Sequence, residues 1–366
     1  MVVTGEEIVD VEVRVGYVHR GIERLAEERT IDQDIQLMER ICGICMQAHS
    51  QCFCQAVEEI ADIQIPERAE YIRVIASELN RVQSHLLWLG IIAHEIGFET
   101  MFMLTWAERE KVMDILEMIT GNRAQYAITA IGGVRRNISK EQCPAITAKL
   151  HELKRSVERF KRIFETDQTI RRRLRGRGII SREEAEQLDL VGPTARASGV
   201  TDDIRKLDPY SAYDELSFQV ITRNEGDIEA RTLVRIDEVL ESIDIVSRAV
   251  EALPAGEIIR LVKAIPAGEA ASRIEAPRGE DIHYVKTNGS LYPDRVKVRS
   301  PTIANLPAIR PILIGQTVAE IPIGLASIDP CFSCTDRITL VDNLSKRTEI
   351  PPIERLRQMY LRKDGK

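Results

Sequence analysis

The chain has 366 residues, 44% apolar and 29% charged, with a formal net charge of −7. With 21 Gly and 15 Pro, this composition fits a globular protein with a sizeable core and excludes a fibrous or largely disordered chain. The acidic balance excludes a general nucleic-acid binder, which needs surplus Lys and Arg against phosphate.

The opening segment carries Glu6, Glu7 and Asp10 where an export signal needs a cationic patch and an apolar core, so no export is expected. Valines at 9, 11, 13 and 15 alternate with charged residues, the period of a half-buried strand. From Pro66 the pattern changes. Ile72, Ile75, Leu79, Val82, Leu86 and Leu89 recur at steps of three and four, which predicts a long core helix. Thr105 and Glu108 read as the capping box of a second helix ending near Gly121. His151–Leu174 and Thr232–Leu253 also read as helices, 275–330 as loops and short strands, and the tail from Pro351 as a short charged helix.

The most apolar stretches, 85–98 and 312–328, are interrupted by His94 and Glu95, and by Gln316, Glu320 and Pro322. Neither offers the ~20 uninterrupted apolar residues of a spanning helix, so membrane contact is expected only through partners. No repeat or long linker divides the chain. The expected fold is therefore one mainly α (α+β) domain over residues 1–366. It comprises a long-helix bundle, an N-terminal β-hairpin or small sheet, and a loop-rich C-terminal part.

The strongest chemical signal is a pair of Cys-x-x-Cys motifs at opposite ends, Cys42/Cys45 and Cys331/Cys334. That spacing lets both thiolates of a motif face one metal. A zinc ribbon separates its pairs by ~15–20 residues; here residues 46–330 intervene, so only the whole fold can assemble the site. Cys42, Cys45, His49 and Cys52 share one face if 41–57 is helical. His49 then either reaches a sulfur or an outer metal shell, or is a core histidine bound to a carbonyl. Cys52, Cys54 and Cys143 read as structural, and three spare thiols fall one short of a four-cysteine iron-sulfur cluster, so none is expected in this chain. His85 and His94 read as structural. The basic run Arg171, Arg172, Arg173, Arg175 and Arg177 reads as a solvated helix end or a dock for an acidic partner.

Arg40-Ile41-Cys42-Gly43-Ile44-Cys45 and Asp329-Pro330-Cys331-Phe332-Ser333-Cys334 resemble the two signature motifs of nickel-iron hydrogenase large subunits. PERAEYIRVIASELNRVQSHLLWLG, LTWAERE, GNR, IGGVRR, VGPTARASGV and EAPRGE resemble the membrane-bound, energy-converting (group 4) branch of that family. That branch is similar to the quinone-site subunit of respiratory complex I. The resemblance covers nearly the whole chain, and complex I relatives lack the four cysteines, which therefore decide between the branches.

The resemblance implies a nickel held by Cys42, Cys45, Cys331 and Cys334, with Cys45 and Cys334 bridging to an iron that carries carbon monoxide and cyanide. It places Arg278, after Pro277, above the metals and the Thr302 hydroxyl near a cyanide. Asp329 falls beside Arg278, and Cys331 is the terminal thiolate that serves as base. The implied activity is reversible reduction of protons to hydrogen. Implied partners are a small iron-sulfur subunit, integral membrane ion-translocating subunits, ferredoxin as electron donor, and maturation proteins including a C-terminal protease. This sets the chain at the cytoplasmic face of the cell membrane. The alternative is a complex I-like quinone or ferredoxin oxidoreductase subunit without a nickel-iron site.

The sequence departs from the family at both ends. Relatives begin with a Gly-Pro-x-His-Pro segment and a proton-passing glutamate, which do not precede Glu6 here; either the start is assigned late or another proton route operates. Glu23 reads as a solvated helix residue rather than a substitute. Arg337 stands where many relatives have histidine, and residues 338–366 are either cleaved during maturation or kept as a partner-binding tail.

Overall fold

The structure is a computed structural model that describes residues 1–335 and two further short strands, Leu340–Val341 and Thr348–Glu349. Arg337, the tail segment 338–366 as a cleavable unit, and the helix expected from Pro351 lie outside the described residues.

Strands β1 (Val2–Thr4) and β2 (Glu7–Asp10) form an antiparallel hairpin. The strand expected over 9–15 ends at Asp10 because its partners end there. Ile8 N donates to Gln316 O at 2.9 Å and Gly315 N to Ile8 O at 2.9 Å, and no strand of the described residues pairs with 11–15.

Short helices α1 (Ile22–Ala26) and α2 (Ile31–Glu39) lead to α3 (Met46–Ile60), then to α4 (Glu67–Glu95) and α5 (Glu99–Thr120). All six periodic residues of α4 are buried, as their spacing predicts. Helix α5 starts six residues before Thr105. Gly97, at φ +83°, turns the chain, and Thr105 lies inside the helix with Oγ1 donating to Met101 O (3.0 Å) and Phe102 O (2.9 Å). The capping-box reading is therefore corrected: an intrahelical Thr satisfies its hydroxyl on the preceding turn.

A minimal hairpin of β3 (Thr129–Ala130) and β4 (Gly133–Val134) precedes α6 (Cys143–Thr166) and α7 (Gln168–Leu174). Asp167 divides these two helices by accepting from Thr169 N and Ile170 N, so the expected single helix is two. Short α8 (Arg182–Gln187), α9 (Gly192–Arg196) and α10 (Ile204–Leu207) precede α11 (Ile228–Glu251), capped by Asp227. Helices α4, α5, α6 and α11 pack around one apolar core that includes Leu79, Leu116, Phe160 and Val246.

The region read as loops and short strands holds a three-stranded antiparallel sheet, β5 (Ala267–Ala276), β6 (Gly279–Asn288) and β7 (Pro293–Arg299). Its central strand escaped detection because its inward positions are polar: Asp281, His283 and Thr287 are buried there alongside Val285. Period-2 hydrophobicity cannot flag such a strand. Helix α3 lies across β5 and β6 and closes a second core. Helices α12 (Pro301–Asn305), α13 (Ile309–Leu313) and α14 (Ile321–Ser327) carry the chain back to the second cysteine pair. Among the described residues no helix is long and apolar enough to cross a membrane.

Candidate metal centre

Cys42 and Cys45 sit in the turn before α3, with Cys45 as its N-cap residue. The helix expected from Ile41 thus begins five residues later. The turn itself folds around sulfur: Ile44 N and Cys45 N donate to Cys42 Sγ at 3.3 and 3.2 Å. Cys331 and Cys334 occupy a single tight helical turn, closed by Cys334 N donating to Cys331 O at 3.0 Å.

The two pairs meet. Sγ–Sγ distances are 3.3 Å for Cys42–Cys331, 4.0 Å for Cys45–Cys334 and 3.1 Å for Cys331–Cys334, and all four residues are buried. Disulfide sulfurs lie at about 2.05 Å, so none of these is a disulfide. Sulfurs about 2.3 Å from one first-row metal lie about 3.3 Å apart at right angles and about 3.8 Å apart in a tetrahedron. Cys42, Cys45 and Cys334 lie within 4.8 Å of one another and fit one thiolate-bound ion, with Cys331 set beside them, close to Cys42 and Cys334.

Arg20 ties the two motifs together through their backbones, donating to Arg40 O (2.8 Å), Ile41 O (2.8 Å) and Ser333 O (2.9 Å). Ser300 Oγ donates to Cys334 O at 2.8 Å, and Cys331 N donates to Thr302 Oγ1 at 3.1 Å. Thr302 is thus bound to the backbone of the second pair and keeps its own hydroxyl hydrogen. Arg20 and Ser300 carry no sequence signal: what they bind is main chain, which any residue supplies.

Arg278 follows buried Pro277 at the turn between β5 and β6. Its Nε donates to Asp329 O and its Nη2 to Asp329 Oδ1, both at 2.7 Å, while the buried Nη1 has no partner among the described residues. Asp329 takes a left-handed backbone, φ +54°, in front of Pro330, a strained conformation that aims carbonyl and carboxylate at one guanidinium. Burial alone would lower the Arg278 pKa, but Asp329 and the Cys331, Cys45 and Cys42 sulfurs outweigh it and hold the guanidinium charged. Burial pushes the Asp329 carboxyl up, against the pull of Arg278 and Arg235. Within the thiol cluster, hydrogen bonds from Cys334 and Cys42 hold Cys45 well below the usual thiol range, and the same cluster raises Cys334.

His49, one turn into α3, lies with Nε2 3.7 Å from both Cys45 Sγ and Cys334 Sγ. On its other edge, Nδ1 is 2.9 Å from Asp281 Oδ2 and 3.1 Å from His283 Nε2. Of the two readings left open by the sequence, the structure has His49 reach the sulfurs. Asp281 and His283 were missed with their strand, although two polar residues two apart would mark one face of it.

The other cysteines and histidines lie elsewhere. Cys52 Sγ donates to Ser272 O and Asp281 O, both at 3.4 Å, and Cys143 Sγ to Ser139 O at 3.4 Å. Cys54 is buried, its thiol pushed up by burial. His85 pairs with Glu238 at 2.9 Å and His94 with Glu99 at 2.6 Å. Arg171 and Arg175 meet Glu229, and Arg177 meets Glu320. Glu23, expected to be solvated, is instead mostly enclosed and accepts from Lys297 Nζ (2.6 Å) and Val298 N (3.0 Å).

A family model described as the 49 kDa subunit of respiratory-chain NADH dehydrogenase matches residues 95–265 and 258–337, and one described as nickel-dependent hydrogenase matches residues 20–91. The chain is 40% identical to the membrane-bound hydrogenase subunit alpha of Pyrococcus furiosus, over 92% of this chain and 83% of that one. It is 41% identical to the carbon monoxide-induced hydrogenase of Rhodospirillum rubrum, over 92% of this chain and 93% of that one. Its structure is similar to a chain of the membrane-bound sulfane sulfur reductase, an archaeal respiratory membrane complex. The TM-score is 0.87 with 32% identity, covering 91% of this chain and 92% of that one. With its thiols gathered from both ends onto one fold, the chain belongs to the family that unites nickel-dependent hydrogenase large subunits with the 49 kDa subunit of complex I, and is a complex I-like oxidoreductase subunit.

Proposed function

We propose that this chain is the catalytic subunit of an energy-converting hydrogenase, a single domain over residues 1–366 that reversibly reduces protons to hydrogen at a nickel-iron centre. One observation carries the reading: four buried thiols from opposite ends of the chain converge beside a buried arginine whose Nη1 has no partner among the described residues. Complex I relatives, which lack these cysteines, have no use for such a cluster.

In this reading Cys42, Cys45, Cys331 and Cys334 would hold the nickel-iron centre, whose iron would carry carbon monoxide and cyanide. When bound, that centre supplies two-electron chemistry that a protein side chain cannot. The protein's own groups do the rest. Cys331 Sγ, with Ser333 Oγ 3.1 Å away, takes and returns a proton. Arg278 Nη1 donates toward anionic ligands, held in place by Asp329. Thr302 offers its hydroxyl hydrogen beside Cys331, buried Pro277 precedes Arg278 and would border the bound group, and His49 borders two of the sulfurs. Burial excludes bulk water and strengthens each of these interactions.

Electrons enter from a small iron-sulfur subunit fed by ferredoxin, and integral membrane subunits couple their flow to ion translocation, holding this chain at the cytoplasmic face of the membrane. Maturation proteins load the metals, and a protease acts after Arg337. The similarity to a membrane-bound hydrogenase subunit and to a respiratory membrane complex supports these partners. A second reading, a quinone or ferredoxin oxidoreductase subunit without a nickel-iron site, is favoured by the long match to the 49 kDa family.

Nickel, iron and zinc content of the native complex, with iron corrected for the small subunit, tests the proposal. Nickel stoichiometric with this chain, together with hydrogen evolution, is the expected result. Zinc alone, or no metal in a mature complex, overturns it in favour of the second reading.

A further inference from the structure

His49 stands between the thiol cluster and the sheet, and the two edges of its ring meet different groups. Nε2 is 3.7 Å from the sulfurs of Cys45 and Cys334. Nδ1 is 2.9 Å from Asp281 Oδ2 and 3.1 Å from His283 Nε2, and all three side chains are fully buried. The torsion that turns an imidazole ring has broad minima, so a ring holds one direction only when a group behind it fixes it. The backbone supplies that group rigidly. Cys45 and His49 are four residues apart at the start of α3, hence stacked on one face, and Asp281 and His283 are two apart on the inward face of β6, hence side by side.

We infer that Asp281, seconded by His283, is a positioning residue that aims the Nε2–H of His49 at the sulfurs of Cys45 and Cys334. With a hydrogen on each nitrogen the ring is an imidazolium: Nδ1 is hydrogen-bonded to His283 Nε2, and the Asp281 carboxylate, 2.9 Å from Nδ1 but with no hydrogen bond to it, holds the ring by charge. The consequence at the sulfurs is electronic. A hydrogen bond to a thiolate withdraws electron density from it, and a ligand's outer partners thereby tune the metal it binds. The inference rests on the proposal that these thiols hold the nickel-iron centre.

Asp281→Asn keeps the shape and removes the charge. The purified complex carrying it is compared with the native complex for nickel content, infrared bands of the carbon monoxide and cyanide ligands, and hydrogen evolution. Nickel is expected to stay, and the carbon monoxide band to move to lower wavenumber, because sulfurs freed of their donor push more density onto iron and into the ligand's antibonding orbital. Hydrogen evolution is expected to fall about tenfold, and Asp281→Glu to restore part of the band position.

Nickel retained with the bands unmoved, or moved upward, overturns the inference. So does loss of a second metal ion with the bands unmoved, which would make His49, Asp281 and His283, with ligand atoms 2.9–3.3 Å apart, a cation site instead. If Asp281→Asn fails to assemble, His283→Gln makes the same comparison, and failure of both to take up nickel assigns the trio a folding role and overturns the inference. Absence of nickel and of both bands in the native complex is a separate result that removes the proposed function itself.

Discussion

At the scale of single residues, Arg278 illustrates how a charge is kept available inside a protein. Two of its nitrogens are spent on Asp329, and the third has no partner among the described residues. Lysine cannot reproduce this, since a single ammonium cannot bind Asp329 at two points and still present a donor elsewhere. Arg278→Lys should lower hydrogen evolution about 100-fold, the range for removing one preorganised donor, with nickel content unchanged by elemental analysis. Asp34 on α2 is a different case. Both of its carboxylate oxygens are buried with no hydrogen-bond partner among the described residues, and burial pushes its pKa from 3.8 up to about 8. The folded chain therefore holds a proton that the unfolded chain releases above its lower pKa, so stability falls as pH rises through that window. Asp34→Asn should flatten the dependence: thermal unfolding at pH ~4 and pH ~8 is expected to show a variant-minus-native difference that grows with pH. The four cysteines were legible in the sequence because thiol pairs at that spacing are rare. Asp281 and His283 were not, because a lone buried polar pair has no period and its meaning depends on His49, more than two hundred residues away.

At the scale of elements, the site depends on close approaches between segments. Gly192 at the start of α9 and Gly279 at the start of β6 face each other. A Cβ on Gly192 would fall 2.4 Å from Arg278 O, and one on Gly279 2.7 Å from Gly192 N. Both glycines also have positive φ, +66° and +123°, which a side chain would strain. Gly279→Ala should cost about 2 kcal/mol of stability by denaturant unfolding and displace Arg278, so that activity falls more than stability accounts for. The orientation of α3 is set by a buried ion pair with α4. Arg73 Nη1 and Nη2 meet the two carboxylate oxygens of Glu58 at 2.9 and 2.6 Å, and Nη2 also donates to Ala130 O. Arg73→Met removes the cation from buried Glu58 and leaves it only the Gly132 N hydrogen bond at 2.8 Å, and should destabilise the protein by about 3 kcal/mol, read as a lowered denaturation midpoint. The long helices were legible because their apolar residues follow a 3.6-residue period. The capping box at Thr105 and the start of α3 misled because local spacing does not say which turn the tertiary structure keeps helical.

At the scale of the whole molecule, the thiols join two ends of a chain whose middle is a helical bundle and a sheet. A metal there would cross-link the turn before α3 to the turn after α14, and binding energy that exists only in the folded state would add to stability. Cys42→Ser should abolish nickel retention and also expose the second motif. Limited proteolysis is expected to cut between Pro330 and Thr335 faster than in the native protein, mapped by mass spectrometry of the fragments. The amino-acid sequence by itself determined the helix-rich class, the absence of an apolar spanning stretch, and the identity of the four thiols, because periodicity, composition and paired cysteines are local properties. The tertiary structure alone decided that the two pairs share one site, that Arg20 and Ser300 clamp it through main-chain oxygens, and that His49 is backed by β6. Those facts rest on distances between residues far apart in the chain, and only packing sets such distances.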